Sequence, residues 1–265
     1  SGGTFNENAS GNAGGRANGN NAYVNAYSSY GNFAHGHAYD YGSGGAKVEA
    51  SGVGCIAIGY AHSYSSYNAD IVASGNGSFA FGHFYESGTT ASITSSNSGS
   101  FAGGYAAYGG TITANYAGAM AFGTTGSSGG TIEASANGAV ALGYAAGSSI
   151  TASADGALAG GRGSGSYDIS ATGNGSMAWG YAYSQDVSTS GNNSFQFGEG
   201  QNTYADTVQI GYAGIRFSMT TSPPGTKQNG DFWVDGSGNV YVYSYNADRN
   251  LSNIGGGGGG GGLNS

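Results

Sequence analysis

Two short apolar patterns alternate along most of this chain. The first is a hexad that opens and closes on glycine, with alanine between two large apolar residues, as in Gly77–Gly82 and Gly138–Gly143. The second is a β-branched residue followed after one position by alanine, as in Thr131–Ala134. Apolar residues that alternate over four to eight positions are typical of β-strands, so each repeat is predicted to hold two short strands. The hexads occupy residues 31–36, 54–59, 77–82, 99–104, 118–123, 138–143, 156–161 and 175–180, and decayed copies with glutamine in place of alanine occupy 193–198 and 206–211.

The spacing of the two patterns predicts a stacked solenoid. From the β-branched residue to the closing glycine of the next hexad the distance is eleven residues in eight consecutive repeats, from Val48–Gly59 to Val187–Gly198. The return path shortens along the chain from twelve residues to seven. One corner of each coil is therefore fixed and the other takes all the length variation, as in repeat proteins with loops on one edge. We predict an all-β fold, a parallel β-roll of about ten two-stranded coils of 18 to 23 residues, over residues 1–212.

The faces of the predicted strands indicate an oligomer. In the hexad strand the large residues, such as Phe79 and Phe81, share one face and the alanines share the other, so neither face is polar. A two-stranded coil has one interior, so only one of these two faces can be buried within the chain. The other would leave a large apolar patch exposed to solvent over ten coils. We therefore expect burial against copies of the same chain. The repeated alanines are expected to pack tightly, between chains or in the core: Ala57, Ala80, Ala102, Ala121, Ala141, Ala159 and Ala178.

The carboxyl-terminal part of the chain breaks the period. In residues 213–254, Pro223–Gly225 marks a turn and residues 230–243 alternate as a β-hairpin. Residues 255–265 form a glycine-rich tail that includes eight consecutive glycines, either a flexible tether or an extended strand packed by neighbours.

Composition excludes several classes of protein. With 56 glycines, 2 prolines and no three-residue period, the chain of 265 residues is not collagen, and glycine at this level disfavours helices. The 21 Tyr, 11 Phe and 2 Trp argue against ordinary disorder. A net charge of −8, with six scattered Lys and Arg, argues against nucleic-acid binding. No apolar run reaches 18 residues, so no membrane insertion is expected. The start, Ser-Gly-Gly-Thr, has no initiator Met or signal peptide, so we expect a processed chain or a piece of a longer one.

The hexads resemble the Ser-Val-Ala-Ile-Gly repeats of YadA-like trimeric adhesin heads. The nearest copy is Ala139–Ala145, in which Val140 and Leu142 take the two bulky places. Those heads are left-handed parallel β-rolls built from three chains, so the resemblance, which covers roughly residues 10–212, implies a homotrimer. The coils here are longer than the adhesin repeat, and similar glycine-rich repeats occur in bacteriophage tail fibres. The fold alone does not decide between these functions.

The carboxyl-terminal segment favours the phage fibre. The string PPGTKQNGDFWVDGSGNVYVYS, residues 223–244, resembles short hairpins near the ends of phage fibre and spike proteins, and heptads of an adhesin stalk are absent. The resemblance implies a non-catalytic structural fibre protein of a virion that attaches to a host receptor, either a glycan or an outer-membrane protein, and contacts other virion proteins. The head of a bacterial cell-surface adhesin is the alternative. A surface-glycan depolymerase spike is a further one, although no close carboxylate pair marks a glycosidase.

Candidate metal ligands are weak, so no metal or cofactor is expected. Four histidines fall in the first third, and a metal or pH-sensitive cluster competes with the simpler interpretation of ordinary polar positions. Aspartates that precede the β-branched residue suggest either a calcium column or, with better support, closure of turns by bonds to the aspartate's own backbone. The histidines are His35, His37, His62 and His83, and the aspartates are Asp70, Asp168 and Asp186.

Tyrosines are the strongest candidates for recognition, since tyrosine combines a stacking face with a hydroxyl group. Those directly after a closing glycine, Tyr60, Tyr105, Tyr144 and Tyr181, are expected to cap the roll. Others lie in the variable segments: Tyr39, Tyr41, Tyr64, Tyr67, Tyr85, Tyr108, Tyr167 and Tyr183. Receptor binding is predicted at Tyr64, Tyr67 and Tyr85, on the long loops 37–47, 60–70 and 83–92, with the hairpin at 230–243 as the competing contact site.

Overall fold

The computed structural model divides the chain into two compact units, residues 1–213 and residues 214–265. The structure describes residues 4–7, 12–19, 21–27, 31–64, 66–85, 89–126, 128–211, 232–234, 240–244 and 247–250. Within these ranges the fold is all-β, with no helix.

The first unit is a β-solenoid built from two parallel sheets of 11 strands, as predicted. Each coil gives one strand to each sheet, so strands that pair are two apart in chain order. One sheet, which we call the Ile/Val sheet after the β-branched column of β3 to β19, consists of β1 (Thr4–Glu7), β3 (Ala22–Ala26), β5 (Gly45–Ala50), β7 (Asn68–Ala73), β9 (Ala91–Ser95), β11 (Thr111–Ala114), β13 (Thr131–Ala134), β15 (Ser149–Ala152), β17 (Ile169–Ala171), β19 (Val187–Thr189) and β21 (Gly200–Asn202).

The strands that carry the hexads form the other, the hexad sheet. Its members are β2 (Asn12–Asn18), β4 (Phe33–Asp40), β6 (Ile56–Ser63), β8 (Phe79–Tyr85), β10 (Phe101–Ala107), β12 (Met120–Thr125), β14 (Val140–Ala146), β16 (Leu158–Ser164), β18 (Met177–Ala182), β20 (Phe195–Phe197) and β22 (Val208–Ile210).

The pairing register places equivalent residues of successive repeats side by side. Gly143 pairs with Gly161 in the hexad sheet, and Ile132 pairs with Ile150 in the Ile/Val sheet. The turn that joins the two strands is also stacked: the backbone N–H of Gly138, at this corner, donates to the carbonyl of Ala117 in the preceding coil at 3.0 Å. Backbone hydrogen bonds between equivalent turns of successive coils explain the constant eleven-residue spacing, because an inserted residue would break them.

The interior of the solenoid is thin and is built from small residues. The seven repeated alanines named above are fully buried in it, together with the β-branched column that runs from Val24 to Val187. Isoleucine side chains reach across the coil to the closing glycines: a Cβ built on Gly123 would lie 2.8 Å from Cδ1 of Ile132. Where an isoleucine reaches across the coil in this way, little room remains for anything larger than alanine at the alanine place of the hexad. The large hexad residues therefore face outward.

The variable corner differs from the sequence-based expectation of loops at 37–47, 60–70 and 83–92. Strand β6 continues past the closing glycine Gly59 to Ser63, and β8 continues to Tyr85. The alternation of side chains also continues, since Ala61 and Phe84 point inward and are fully buried. Much of the extra length therefore extends the sheet rather than forming free loops, whereas β20, at the short-coil end, has only three residues.

The described residues of the second unit form a small antiparallel sheet. Strand β23 (Phe232–Val234) pairs with β24 (Val240–Ser244), which confirms the predicted hairpin, and β25 (Ala247–Asn250) adds a third strand that the sequence did not predict. The turn predicted at Pro223–Gly225 and the run Gly255–Gly262 lie outside the described residues.

Candidate interface and candidate binding surface

The hexad sheet presents a row of large apolar side chains to solvent. Met120 and Trp179 are each 40% exposed and Ile58 is 36% exposed. We call this surface the apolar face. It consists of Phe33, Ile56, Ile58, Phe79, Phe81, Phe101, Met120, Phe122, Val140, Leu142, Leu158, Met177, Trp179, Phe195 and Phe197, all partly or fully exposed in the single chain.

Aromatic rings of the apolar face pack on one another from coil to coil. The ring centroids of Phe79 and Phe101 are 4.8 Å apart, and those of Phe101 and Phe122 are 4.7 Å apart. Some hexads have glycine in the fifth place, and there a ring from a neighbouring coil fills the space above the glycine. A Cβ on Gly103, for example, would lie 2.5 Å from Cε1 of Phe81. In the same way the indole of Trp179 occupies the space beside Gly160. The apolar face is therefore continuous even where the hexad lacks a second large residue.

The outward face of the Ile/Val sheet is polar. Lys47 and Asp70 form an ion pair at 3.7 Å, and the hydroxyls of Thr111 and Thr131 lie 3.4 Å apart. Burial raises the pKa of Asp70, and the neighbouring Lys47 partly opposes this shift. The two outer surfaces of one solenoid therefore differ in kind, and the apolar one is the candidate interface.

A cluster of aromatic and imidazole rings lies on the hexad sheet beyond the closing glycines. Tyr60, His62, Tyr64, His83 and Tyr85 line an open depression of about 420 Å³, which we call the aromatic basin. Ring centroids lie 5.0 Å apart for Tyr60 and His83, 4.1 Å for His62 and Tyr64, and 5.5 Å for Tyr64 and Tyr85. Two of the three tyrosines predicted to bind a receptor, Tyr64 and Tyr85, are thus in contact.

His62 lies at the centre of this cluster and is only 7% exposed. Tyr39 and Tyr41, from the preceding coil, pack against it with centroid distances of 5.6 Å and 5.4 Å, and Tyr41 also stacks on Tyr64 at 5.6 Å. Tyr64 remains 47% exposed. The packing of His62 in this cluster was not predicted from the sequence. The signal was the coil period, which places Tyr39 beside His62 in neighbouring strands.

Two hydroxyl groups of the basin, those of Tyr60 and Tyr64, have raised pKa values. Burial raises the pKa of Tyr60, and the neighbouring Tyr39 and Tyr41 raise it further. The pKa of Tyr64 is raised as well, by desolvation first and then by Tyr85. The Tyr60 hydroxyl lies 3.3 Å from Nδ1 of His62. The hydroxyls of Tyr60 and Tyr64 are therefore both hydrogen-bond donors and acceptors at neutral pH.

The remaining predicted site residues lie apart from this cluster or at its margin. Tyr67 is 43% exposed, and no ring contact joins it to the basin among the residues that the structure describes. His35 is exposed and stacks on Phe33 at 5.9 Å, and His37 lies 6.0 Å from Tyr60. In the described part of the chain, no group of three or more His, Cys, Asp or Glu is placed to hold a metal ion.

Two of the three candidate aspartates, Asp168 and Asp186, form hydrogen bonds between coils. Oδ1 of Asp168 accepts from the backbone N–H of Ser149 at 2.7 Å, and Oδ1 of Asp186 accepts from the N–H of Asp168 at 2.9 Å. The expected bond to the aspartate's own backbone is therefore corrected to a bond with the preceding coil. Stacking explains the difference, since the free N–H at the start of each strand lies directly beside the next coil.

Tyrosines that follow a closing glycine pack along the solenoid rather than projecting alone. Arg162 lies between two of them, with its guanidinium carbon 5.3 Å from the ring centre of Tyr144 and 5.2 Å from that of Tyr181. Tyr105 contacts His83 with a centroid distance of 5.4 Å. Cation–π and edge contacts of this kind stabilise the surface of the sheet.

Comparison with known proteins adds no family to this picture. No family model, no curated protein and no solved structure matches the chain. The structure itself defines the class, a parallel β-solenoid with one apolar outer face. No helix suited to crossing a membrane is present in the described residues.

Proposed function

We propose that this chain is a structural attachment protein, a rigid solenoid that assembles with copies of itself and presents its aromatic surface to a host cell. The apolar face is the single observation that carries the proposal. Largest apolar patches on soluble monomers measure about 300–600 Å² and are often functional. Here the patch runs from β4 to β20, nine strands of the hexad sheet, so at about 4.8 Å per coil it is roughly 40 Å long.

A second copy of this chain is the partner that fits the apolar face best. The side chains of the face repeat once per coil, at the spacing of β-strands. Another solenoid of the same rise can place its rows between these rows along the full length, which a partner without that period cannot do. Symmetric self-association is also the commonest way in which proteins bury such a surface. We propose three copies, the number that the hexad resemblance to trimeric adhesin heads implies.

The proposed setting is a phage virion, with the chain as part of a tail fibre that contacts a host receptor and other virion proteins. A stiff parallel stack followed by a small antiparallel sheet suits such a fibre. The head of a trimeric bacterial surface adhesin is the second candidate, and hexads such as Gly138–Gly143 favour it. We propose a non-catalytic role in either setting, with contact made through Tyr64, Tyr67 and Tyr85.

Location separates the two settings. Antibodies raised against the purified chain should label virion tails in immunogold electron microscopy of the source culture. Label confined to the bacterial envelope would contradict the fibre and support the adhesin.

Attachment is tested by changing Tyr64, Tyr67 and Tyr85 together to Ser and measuring binding to host cells. Tyr64 and Tyr67 are exposed and Tyr85 is half-buried, and none of the three lies in the solenoid interior, so the fold should persist while binding falls. If the triple variant binds as tightly as the parent, the contact site is elsewhere, and the sheet at 232–250 becomes the favoured site. Release of sugar from the host envelope by the parent would instead favour a depolymerase.

A further inference from the structure

The geometry of the aromatic basin points, we propose, to a binding site for neutral carbohydrate. The exposed ring of Tyr64 would stack on the C–H face of a sugar ring, while hydroxyls of the basin bind the sugar hydroxyls. The inference rests on the proposed attachment function and names its ligand class.

The size and rigidity of the basin suit a small ligand. Tyr60 and His62 come from β6, and His83 and Tyr85 come from β8. Ring centroids lie 5.0 Å apart for Tyr60 and His83, 5.6 Å for Tyr60 and His62, and 5.9 Å for His62 and Tyr85. The depression of about 420 Å³ falls within the range of small-molecule sites. Because the rings hold one another, little side-chain entropy is lost when a ligand binds.

The polarity of the basin matches a sugar. One surface of a pyranose ring is lined by C–H groups, and its edge carries hydroxyls that both donate and accept. The basin offers ring faces that can stack on the C–H surface of the sugar and tyrosine hydroxyls that can bind the sugar hydroxyls. The Tyr60 hydroxyl is positioned by Nδ1 of His62 at 3.3 Å.

The charges around the basin argue for a neutral ligand. Of the five described residues that line it, none is Lys, Arg, Asp or Glu. Arg16 lies over Tyr39, 5.6 Å from its ring centre, and Tyr39 is outside the lining. A sulfated, phosphorylated or carboxylated sugar would find no guanidinium or ammonium partner there. A quaternary ammonium group favours a cage of rings around it, whereas this depression is open.

The basin remains available in the proposed assembly. The apolar face is formed by hexad residues that precede the closing glycines Gly59 and Gly82, and the basin is formed by residues that follow them. The glycine column therefore separates the two surfaces on one sheet. Self-association through the apolar face leaves the basin free to bind.

The test is binding of the full chain to an array of neutral hexose, deoxyhexose and N-acetylhexosamine oligosaccharides, with sialylated and sulfated forms beside them. We expect binding to at least one neutral class and none that requires an acidic group. Tyr64→Ala should weaken binding about tenfold by removing the stacking ring, and Tyr64→Phe should stay within a few-fold of the parent. Tyr116→Ala is the matched control, since Tyr116 is 45% exposed but lies at the fixed corner. It should bind like the parent.

Several outcomes would overturn the proposal: no neutral glycan bound, binding only to acidic glycans, displacement by choline but not by free sugar, or equal losses in Tyr64→Ala and Tyr116→Ala. Circular dichroism checks that each variant folds, and Tyr85→Ala replaces Tyr64→Ala if the latter does not. If the parent binds host cells and the tyrosine triple variant loses that binding, while no neutral glycan on the array is bound, the proposed ligand class is refuted but the attachment function is not. Absence of host-cell binding by the parent refutes attachment itself.

Discussion

Gly143 lies beside Gly161 of the next coil so closely that a Cβ on Gly143 would overlap the carbonyl oxygen of Gly161. The backbone of Gly143 also has a φ of +145°, which side chains other than hydrogen disfavour. The same relationship joins Gly59 with Gly82 and recurs along the hexad sheet. The closing glycine is therefore required by the distance between stacked coils.

Replacing Gly143 by Ala should lower the free energy of unfolding by more than about 3 kcal/mol, because it adds both strain and a backbone overlap. Chemical denaturation measures this loss. Gly138→Asn is the control: Gly138 has a φ of +61° with nothing within 4 Å of its Cβ position. Asn193 and Asp206 already adopt φ of 52° and 56° at the equivalent place. The control should cost less than about 1 kcal/mol, and equal losses in both variants would contradict this account of the glycines.

The coil period and strand register were predictable because each depends on backbone contacts within one chain. The closing glycines and β-branched residues recur in the sequence at the spacing that these contacts require. Which face of the hexad strand points inward was not predictable. Hydrophobicity alone would favour burial of Phe79 over Ala80. The choice is made by the thin interior, where Ile93 reaches to within 2.7 Å of the Cβ position of Gly82. Burial of His62 depends likewise on rings from three successive coils.

Ala141→Leu tests the thin interior. Ala141 is fully buried, so the larger side chain should overpack the coil and cost roughly 1–3 kcal/mol per chain. Thermal unfolding followed by circular dichroism gives the change in melting temperature. Thr151→Val, on the polar outward face of the Ile/Val sheet, changes a side chain outside the interior without changing its shape and should change stability by less than about 0.5 kcal/mol. An unchanged melting temperature for Ala141→Leu would show that the interior is not closely packed.

Glu199 makes stability depend on pH in acid. Its carboxylate accepts hydrogen bonds from the backbone N–H groups of Tyr183 and Ser184, both at 2.6 Å, and from the Ser184 hydroxyl at 2.7 Å. These bonds lower the pKa of Glu199 to about 2 from its usual 4.5. The folded chain thus keeps the charge where the unfolded chain gains a proton, so the stabilisation is present above pH 4.5 and is lost as the pH falls towards 2.

The variant Glu199→Gln should be less stable than the parent at pH 6, and the difference in melting temperature should shrink steadily between pH 4.5 and pH 2. Glu133→Gln, which removes a carboxylate elsewhere on the solenoid, provides the control for net charge. If the difference in melting temperature between the parent and Glu199→Gln stays constant from pH 4.5 to pH 2, the hydrogen bonds do not stabilise the ionised form of Glu199.

The apolar face makes self-association the central claim, and the molar mass in solution tests it most directly. Multi-angle light scattering should give about 78 kDa, the mass of three 26.0-kDa chains. The double change Phe81→Ser and Leu142→Ser, on the apolar face, should shift the mass towards one chain, whereas Tyr64→Ser, in the basin, should leave it unchanged. A folded parent that runs as a single chain of 26.0 kDa at micromolar concentration would contradict the account.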